Sequence, residues 1–289
     1  MKAIGFAPGH ISGFFEPVYH KEDFSRSGSR GAGINISLGA LSEVFIEPSN
    51  KQSVDIYLNK KRSTASVSNY AIKYLIGKNK LKVLVKTILQ LPMWQGFGMS
   101  GAGALSAALA VAQITGQSRE EAVKAAHFAE IQYKTGLGDV LASSFGGLEI
   151  RKNAGLPPWG FIEHIPCKSD VVICVIGKKI NTKNVLTDSK KANTIIEYGK
   201  YCTKKLLDKP SVENYFTLSQ IFTNKTGLAD KKVIDAINAA NNHGNASMCM
   251  LGNSVYAVGN TPQLCRILCT FGKLYICFID NYGARILEI

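Results

Sequence analysis

The first 166 residues contain no cysteine, and the seven that follow, from Cys167 to Cys277, include no C-x-x-C pair. An odd set without such spacing argues against a disulfide framework and against a structural zinc site. Histidine is also sparse: five residues, none in H-x-x-x-H or H-E-x-x-H spacing. Long apolar runs are missing. The run "VVICVIG" from Val171 is seven residues, far below the ~20 that a bilayer span needs. The opening "KAIGFAPGH" has neither the apolar core nor the small-residue cleavage site of a secretory signal, so the expected location is the cytoplasm. Acidic residues are few, 21 against 34 Lys and Arg, which leaves a net charge of +13.

That charge favours anionic partners: nucleic acid, a membrane surface or phosphorylated small molecules. The lysines are dispersed, as in "LNKKRS" and "KKLLDKP", and are not interleaved with aromatics. RNP-type strings and zinc knuckles are absent. No nucleic-acid or membrane partner is therefore expected, although a basic nucleic-acid-binding protein remains the rival from another class.

What is present is a packed globular chain of 289 residues, 46% hydrophobic and 19% charged, long enough for two domains. Strands are expected at 2–8, 33–48, 53–59 and 80–91, with a helix at 65–77 among them. After residue 100 the pattern turns helical. The Ala-rich segment 102–115 ends before Gly116, and Ser118 with Glu121 forms a capping box for a helix to about Lys134. Pro157 and Pro158 mark a break, a strand reopens at Asp170, and helices are expected near 188–208, 211–224 and 229–242. Strands near 248–259 and 274–281 bracket a helix at 262–271, and the tail is read as extended. The expectation is an α+β protein in two units, 1–160 and 161–289.

The most informative segment is "LPMWQGFGMSGAGALSAALA". A strand ends, a loop carries Gly96, Gly98, Gly101 and Gly103, and a helix begins. Glycines let a backbone approach a ligand closely, and the free N–H groups of a helix start suit phosphate. The Rossmann reading fails because a helix follows this helix, and the Walker reading fails for want of a Lys-Ser or Lys-Thr pair. A tight turn packed against a neighbour is the structural alternative.

Two acids follow, nine residues apart. Glu130 could hold a cation or form an i,i+4 ion pair with Lys134 on a wet helix face. Asp139, in "TGLGDVLASSFGG", could receive a proton from an attacking hydroxyl or cap the next helix.

The string Pro92, Gly96-Phe97-Gly98-Met99-Ser100 and Ala102 resembles the phosphate-binding motif of the GHMP kinases. So do the order loop, Glu130, Asp139, Gly146-Gly147 and the first motif, "APGHISGFFE", which keeps Ala7, Pro8, Gly9 and Glu16. In that motif His10 stands where Lys or Arg is usual, and Phe15 where glycine is. The stretch "NASMCMLGNSVYAVG" is similar to the third motif only at Gly252, Ser254, Val255 and Ala257. Its expected position is a turn against the phosphate loop, with a buried hairpin strand as the alternative.

The resemblance implies an α+β two-domain fold, with an N-terminal ribosomal S5 domain 2-like unit and a C-terminal ferredoxin-like α/β sandwich. It implies ATP and Mg2+, with Gly96, Gly98, Met99, Ser100, Gly101 and Ala102 on the phosphates. Ser100 and Glu130 would hold the metal, and Asp139 would be the catalytic acid–base residue. The likeness is strongest to an archaeal subgroup that phosphorylates pantoate on the way to coenzyme A. Homoserine, shikimate, a sugar or a mevalonate derivative are the alternative acceptors. For the acceptor's carboxylate the expected contacts are Arg26 and Arg30, read as lying in a glycine- and serine-rich loop that suits an anion. His10 is expected to hydrogen-bond substrate or phosphate. A homodimer is left open.

Overall fold

A computed structural model describes residues 1–178 and 189–289. Two antiparallel-rich sheets organise them. The larger holds β1 (Lys2–Val18), β2 (Gly28–Pro48), β3 (Ser53–Leu58), β4 (Lys61–Ser63), β5 (Leu81–Leu89), β6 (Leu148–Asn153), β7 (Phe161–Ile165) and β12 (Arg285–Glu288). Its main path runs β12-β1-β2-β5-β3-β4, with β6 pairing β2 and β7 pairing β6. Only β3 and β5 pair in parallel among these strands. The smaller sheet runs β11-β8-β10-β9, from β8 (Asp170–Val175), β9 (Gly244–Met248), β10 (Ser254–Gly259) and β11 (Lys273–Phe278). β7 and β12 lie beyond residue 160 yet belong to the first sheet.

The first strand is much longer than its sequence suggests. Pro8, Gly9 and Gly13 read as strand breakers, but β1 runs through all three to Val18. Two register shifts, at Pro8/Gly9 and between Ser12 and Phe14, accommodate them; a bulge is where a strand tolerates such residues. The first motif is therefore strand rather than loop. β2 likewise begins at Gly28, not near 33. Its first half pairs β6 and its second half pairs β5, while β1 follows both.

Helix α1 (Ser66–Ile76), α2 (Met99–Thr115) and α3 (Arg119–Tyr133) pack together, and α2 lies on β1 and β2. α2 is nearly all small apolar residues and is buried along most of its length. A Cβ on Gly5 would strike the Ser106 carbonyl, so the strand and the helix touch backbone to backbone. The N-cap half of the expected capping box forms, Ser118 Oγ accepting the Glu121 N–H at 3.2 Å, while the Glu121 carboxylate accepts from Lys124 Nζ at 3.5 Å. α4 (Asp139–Phe145) follows, then α5 (Ser189–Asp208), α6 (Val212–Thr226), α7 (Lys231–Ala240) and α8 (Thr261–Leu268). The expected helix start at 188 lies outside the described residues. α6, α7 and α8 pack on the smaller sheet; α6 also reaches β1, and α5 packs on α6 and on β1, β2 and β6 of the larger sheet.

Candidate active site

The loop between β5 and α2 holds an unusual backbone. Trp94, Gly96 and Gly98 have φ of 68°, 81° and 59°. Gly98 caps α2 without any side-chain bond, and the first turn of the helix carries no acidic residue. The N–H groups at the positive end of this 17-residue helix are therefore not capped by a side chain of the cap residue or an acid of the first turn.

Two neighbours fix the loop. From β1, the His10 N–H donates to the Phe97 carbonyl at 3.1 Å. From the β9–β10 turn, the Cys249 and Met250 carbonyls lie so close that a methyl on Gly96 would meet them at 2.7 and 2.8 Å. A methyl on Gly252 would strike the Gln95 carbonyl. The degenerate third motif does form a turn against the glycine loop.

Both acids come to this loop. A methyl on Gly98 would approach Asp139 Cγ to 3.3 Å, and one on Gly101 would approach Glu130 Oε2 to 3.3 Å. Gly136 has both carboxylates beside it, Asp139 Oδ2 at 2.9 Å from its virtual methyl and Glu130 Oε2 closer still. A side chain at Gly136 would have to displace one or both of these carboxylates.

Glu130 is 2% exposed, so it is no wet-face partner of Lys134. Its Oε1 accepts from Ser100 Oγ at 2.7 Å and from Thr135 Oγ1 at 2.6 Å. Burial, reinforced by the nearby Asp139 charge, pushes its carboxyl up to about 7 despite those hydrogen bonds. Asp139 is the first residue of α4, and Gly138 occupies the cap position, so its side chain does not cap the helix. Instead Oδ1 lies 2.7 Å from His10 Nδ1.

His10 continues inward. Its Nε2 is 3.0 Å from Glu149 Oε1, and Arg151 ion-pairs with that same oxygen. Arg151 Nη2 donates to Ser12 Oγ at 3.3 Å. Burial alone would push the His10 imidazole down, but hydrogen bonds to Asp139 and Glu149 outweigh it and hold the ring above its ordinary value. Both ring nitrogens are thus engaged by carboxylates, and His10 forms part of the cleft wall.

Arg26 and Arg30 do not line the cleft. Arg30 lies in β2, where successive side chains face opposite ways: Ser29 faces the cleft, while Arg30 donates to Glu16 Oε2 at 3.0 Å and to the Lys152 carbonyl at 2.9 Å. Arg26 sits over the Trp159 ring, 4.6 Å from its centroid. The 19–27 connection that carries Arg26 is held from beneath by His127, whose Nε2 bonds the Phe24 and Ser27 carbonyls at 3.1 and 3.0 Å. Burial pushes that imidazole down to about 4, so it is neutral and donates.

The cleft thus has three parts. One end is apolar, formed by Leu58, Leu89, Met93 and Trp94. The glycine loop and the two acids occupy the middle. The other end is lined by Ser12, Phe15, Tyr19 and Ser29. Missed by sequence reasoning were Glu149 and Arg151, which stand behind it, buried at 0% and 1% exposure. Their signal was the i,i+2 pair in "GGLEIRK", two opposite charges on one strand face just after Gly146-Gly147.

An anion cradle beside one buried acid and one partly exposed acid is equipped to move a phosphoryl group onto an alcohol. The family model for the GHMP kinases N terminal domain matches residues 65–147. The pantoate kinase of Thermococcus kodakarensis is 32% identical over 260 residues, 88% of this chain and 86% of that protein. That of Methanocaldococcus jannaschii is 32% identical over 95% of this chain and 99% of its own length. Among solved structures, a phosphotransferase related to the coenzyme A biosynthesis pathway superposes with a TM-score of 0.91. It has 27% identity and covers 100% of this chain and 99% of its own. The chain belongs to the GHMP kinases and, among them, to the pantoate kinase family.

Proposed function

We propose that this kinase transfers the γ-phosphoryl group of ATP to the 4-hydroxyl of pantoate, giving 4-phosphopantoate for coenzyme A synthesis. The observation that carries the reading is the convergence of Glu130 and Asp139 on the glycine loop, in a chain whose full-length relatives are pantoate kinases. The triphosphate lies over residues 96–102, where backbone N–H groups meet its charge. The base lies toward Met93 and Trp94. Among the described residues no cluster of three His, Cys, Asp or Glu side chains could hold a metal. The donor set at the loop nevertheless fits Mg2+, which takes few protein ligands and keeps its waters and phosphate oxygens. Ser100 Oγ and Glu130 would hold it, and a divalent cation there would favour the charged form of Glu130 that burial by itself disfavours. When bound, it neutralises charge on the phosphate oxygens.

Asp139 takes the hydroxyl proton as the new O–P bond forms and the bond to the ADP oxygen breaks. The pantoate carboxylate sits at the Ser12 and Ser29 end. Arg151 supplies positive charge behind these serines: it bonds Ser12, and its Nε lies 2.8 Å from a virtual methyl on Gly138, with no partner of its own. Residues 1–160 as the ATP-binding unit, 161–289 as the second unit, and the cytoplasm as the location belong to the same proposal. No helix among the described residues is long and apolar enough to cross a membrane.

The test is a panel of hydroxy acids and alcohols with ATP and Mg2+, in which pantoate is expected to be turned over in preference to homoserine, shikimate and mevalonate. Run alongside, Arg30→Lys should leave the pantoate KM within about 2-fold. Arg151→Lys should raise it by about 10-fold or more, a loss of roughly 1.4 kcal/mol. Preferential turnover of another acceptor would overturn the assignment.

A further inference from the structure

The floor of the cleft contains a line of charge that runs out of the substrate space and into the sheet. It starts at Asp139 on α4, passes through His10 on β1 and ends at Glu149 and Arg151 on β6. β1 and β6 are not neighbours, because β2 lies between them. The register puts Gly33 of β2 opposite Ser12 on one side and Glu149 on the other. A methyl on Gly33 would strike His10 Nε2. The missing side chain therefore opens the lane through which a β1 imidazole reaches a β6 carboxylate across an intervening strand.

Resting on the reading of Asp139 as the proton acceptor, we propose that His10 is a positioning residue for phosphoryl transfer. Clamped between Asp139 and Glu149 as a doubly protonated imidazolium, it fixes Oδ1 of Asp139 and leaves Oδ2 to the incoming alcohol.

The protonation follows from the contacts. An imidazole with an ionised carboxylate at 2.7 Å on one nitrogen and another, paired with Arg151, at 3.0 Å on the other carries hydrogen on both. In either neutral tautomer one carboxylate would face a lone pair. Arg151 Nη1 also lies 3.1 Å from Nε2 and could donate to a neutral ring. That arrangement would still set Glu149 Oε1 against the same lone pair, whereas with a charged ring both cations donate to the one oxygen. The charges along the line then balance, buried His10, Arg151 and Glu149 together with the partly exposed Asp139. The charged and titratable groups facing the line are Asp139 from α4, Glu149 and Arg151 from β6, Tyr215 of α6 beside Glu149, and Glu130 of α3 beside Asp139.

The geometry also assigns the two oxygens of Asp139 different work. Oδ1 is tied to the ring, while Oδ2 lies at Gly136, on the side where Glu130 approaches the glycine loop. Without the ring, that carboxylate would turn freely about χ2, and a displacement of about 1 Å at a reacting atom costs on the order of 100-fold in rate.

The experiment has two arms, so that the inference and the functional reading fail separately. In the first, 15N NMR of the histidine side chains in the wild-type protein, with His10→Asn used for assignment, reads the protonation of His10 at pH 8. Both nitrogens protonated is the expected result; a single-proton ring overturns the proposal, whatever the protein phosphorylates. The second arm measures pantoate phosphorylation by His10→Ala, His10→Asn and Glu149→Gln, each checked for folding by circular dichroism. kcat is expected to fall about 100-fold in His10→Ala with the ATP KM within about 3-fold. His10→Asn, which keeps a donor near the Nδ1 position, should recover part of the loss. A folded His10→Ala or Glu149→Gln enzyme with wild-type kcat overturns the positioning role. Wild-type protein inert toward pantoate would count against the functional reading alone, and the NMR arm would still decide the state of the ring.

Discussion

Asp139→Asn is expected to lower kcat by on the order of 10²–10⁴-fold while ATP affinity changes little. Asparagine keeps the shape of the side chain and can still bond His10, but it cannot take a proton from the acceptor hydroxyl. The expected signature is a loss in kcat with the ATP KM within about 3-fold, since Asp139 contributes no backbone N–H to the phosphate cradle and its bonded partner is His10. Steady-state kinetics with ATP and pantoate, together with nucleotide binding by calorimetry, separate the two quantities. Turnover near the wild-type rate would remove Asp139 from the chemistry.

Glu130→Gln should move activity and stability in opposite directions. The carboxyl is buried, and its titration is raised from the ordinary 4.5 to about 7. Because the unfolded chain releases this proton first, the unliganded protein loses stability as pH rises from about 4.5 to about 7, and the penalty is complete above that range. A neutral glutamine still accepts from Ser100 and Thr135 and carries no such penalty. The variant should therefore be more stable than wild type at pH 8 by roughly 1–3 kcal/mol, with little difference at pH 4.5. Urea unfolding at the two pH values, without nucleotide, reads this difference. Its activity should fall by on the order of 100-fold or more, with a weaker dependence on Mg2+ concentration, if Glu130 is the proposed ligand of the triphosphate's counter-ion. A variant less stable than wild type at pH 8 would contradict the burial argument, and full activity would contradict the ligand role. A residue retained at a cost in stability is what a functional site leads one to expect.

The parts of this site that depend on local backbone chemistry were legible in the sequence. Glycines at 96, 98 and 101 before an Ala-rich helix announce a close-approach loop, and the structure supplies the positive φ values and the uncapped helix start. Ser118 and Glu121 announced α3, which sets the direction in which Glu130 reaches the loop. The parts that depend on pairing between distant strands were not legible. Pro8, Gly9 and Gly13 look like the end of a strand, yet the register shifts carry β1 through them and turn His10 inward. Arg30 looks like an anion ligand in a glycine-rich loop, but strand alternation turns it toward Glu16 instead. Glu149 and Arg151 look like solvent-facing charges. They are buried because Gly33 leaves room for His10 to reach them and because each neutralises the other. Local propensity carries no information about which strand lies beside which, and this network is made of such adjacencies.

The most direct test of the account is a crystal structure of the protein with Mg2+, pantoate and a non-hydrolysable ATP analogue. The phosphates are expected over Gly96–Ala102, the metal against Ser100 and Glu130, and the 4-hydroxyl of pantoate within hydrogen-bond reach of Asp139 Oδ2. A triphosphate bound elsewhere, or an acceptor hydroxyl remote from Asp139, would contradict it.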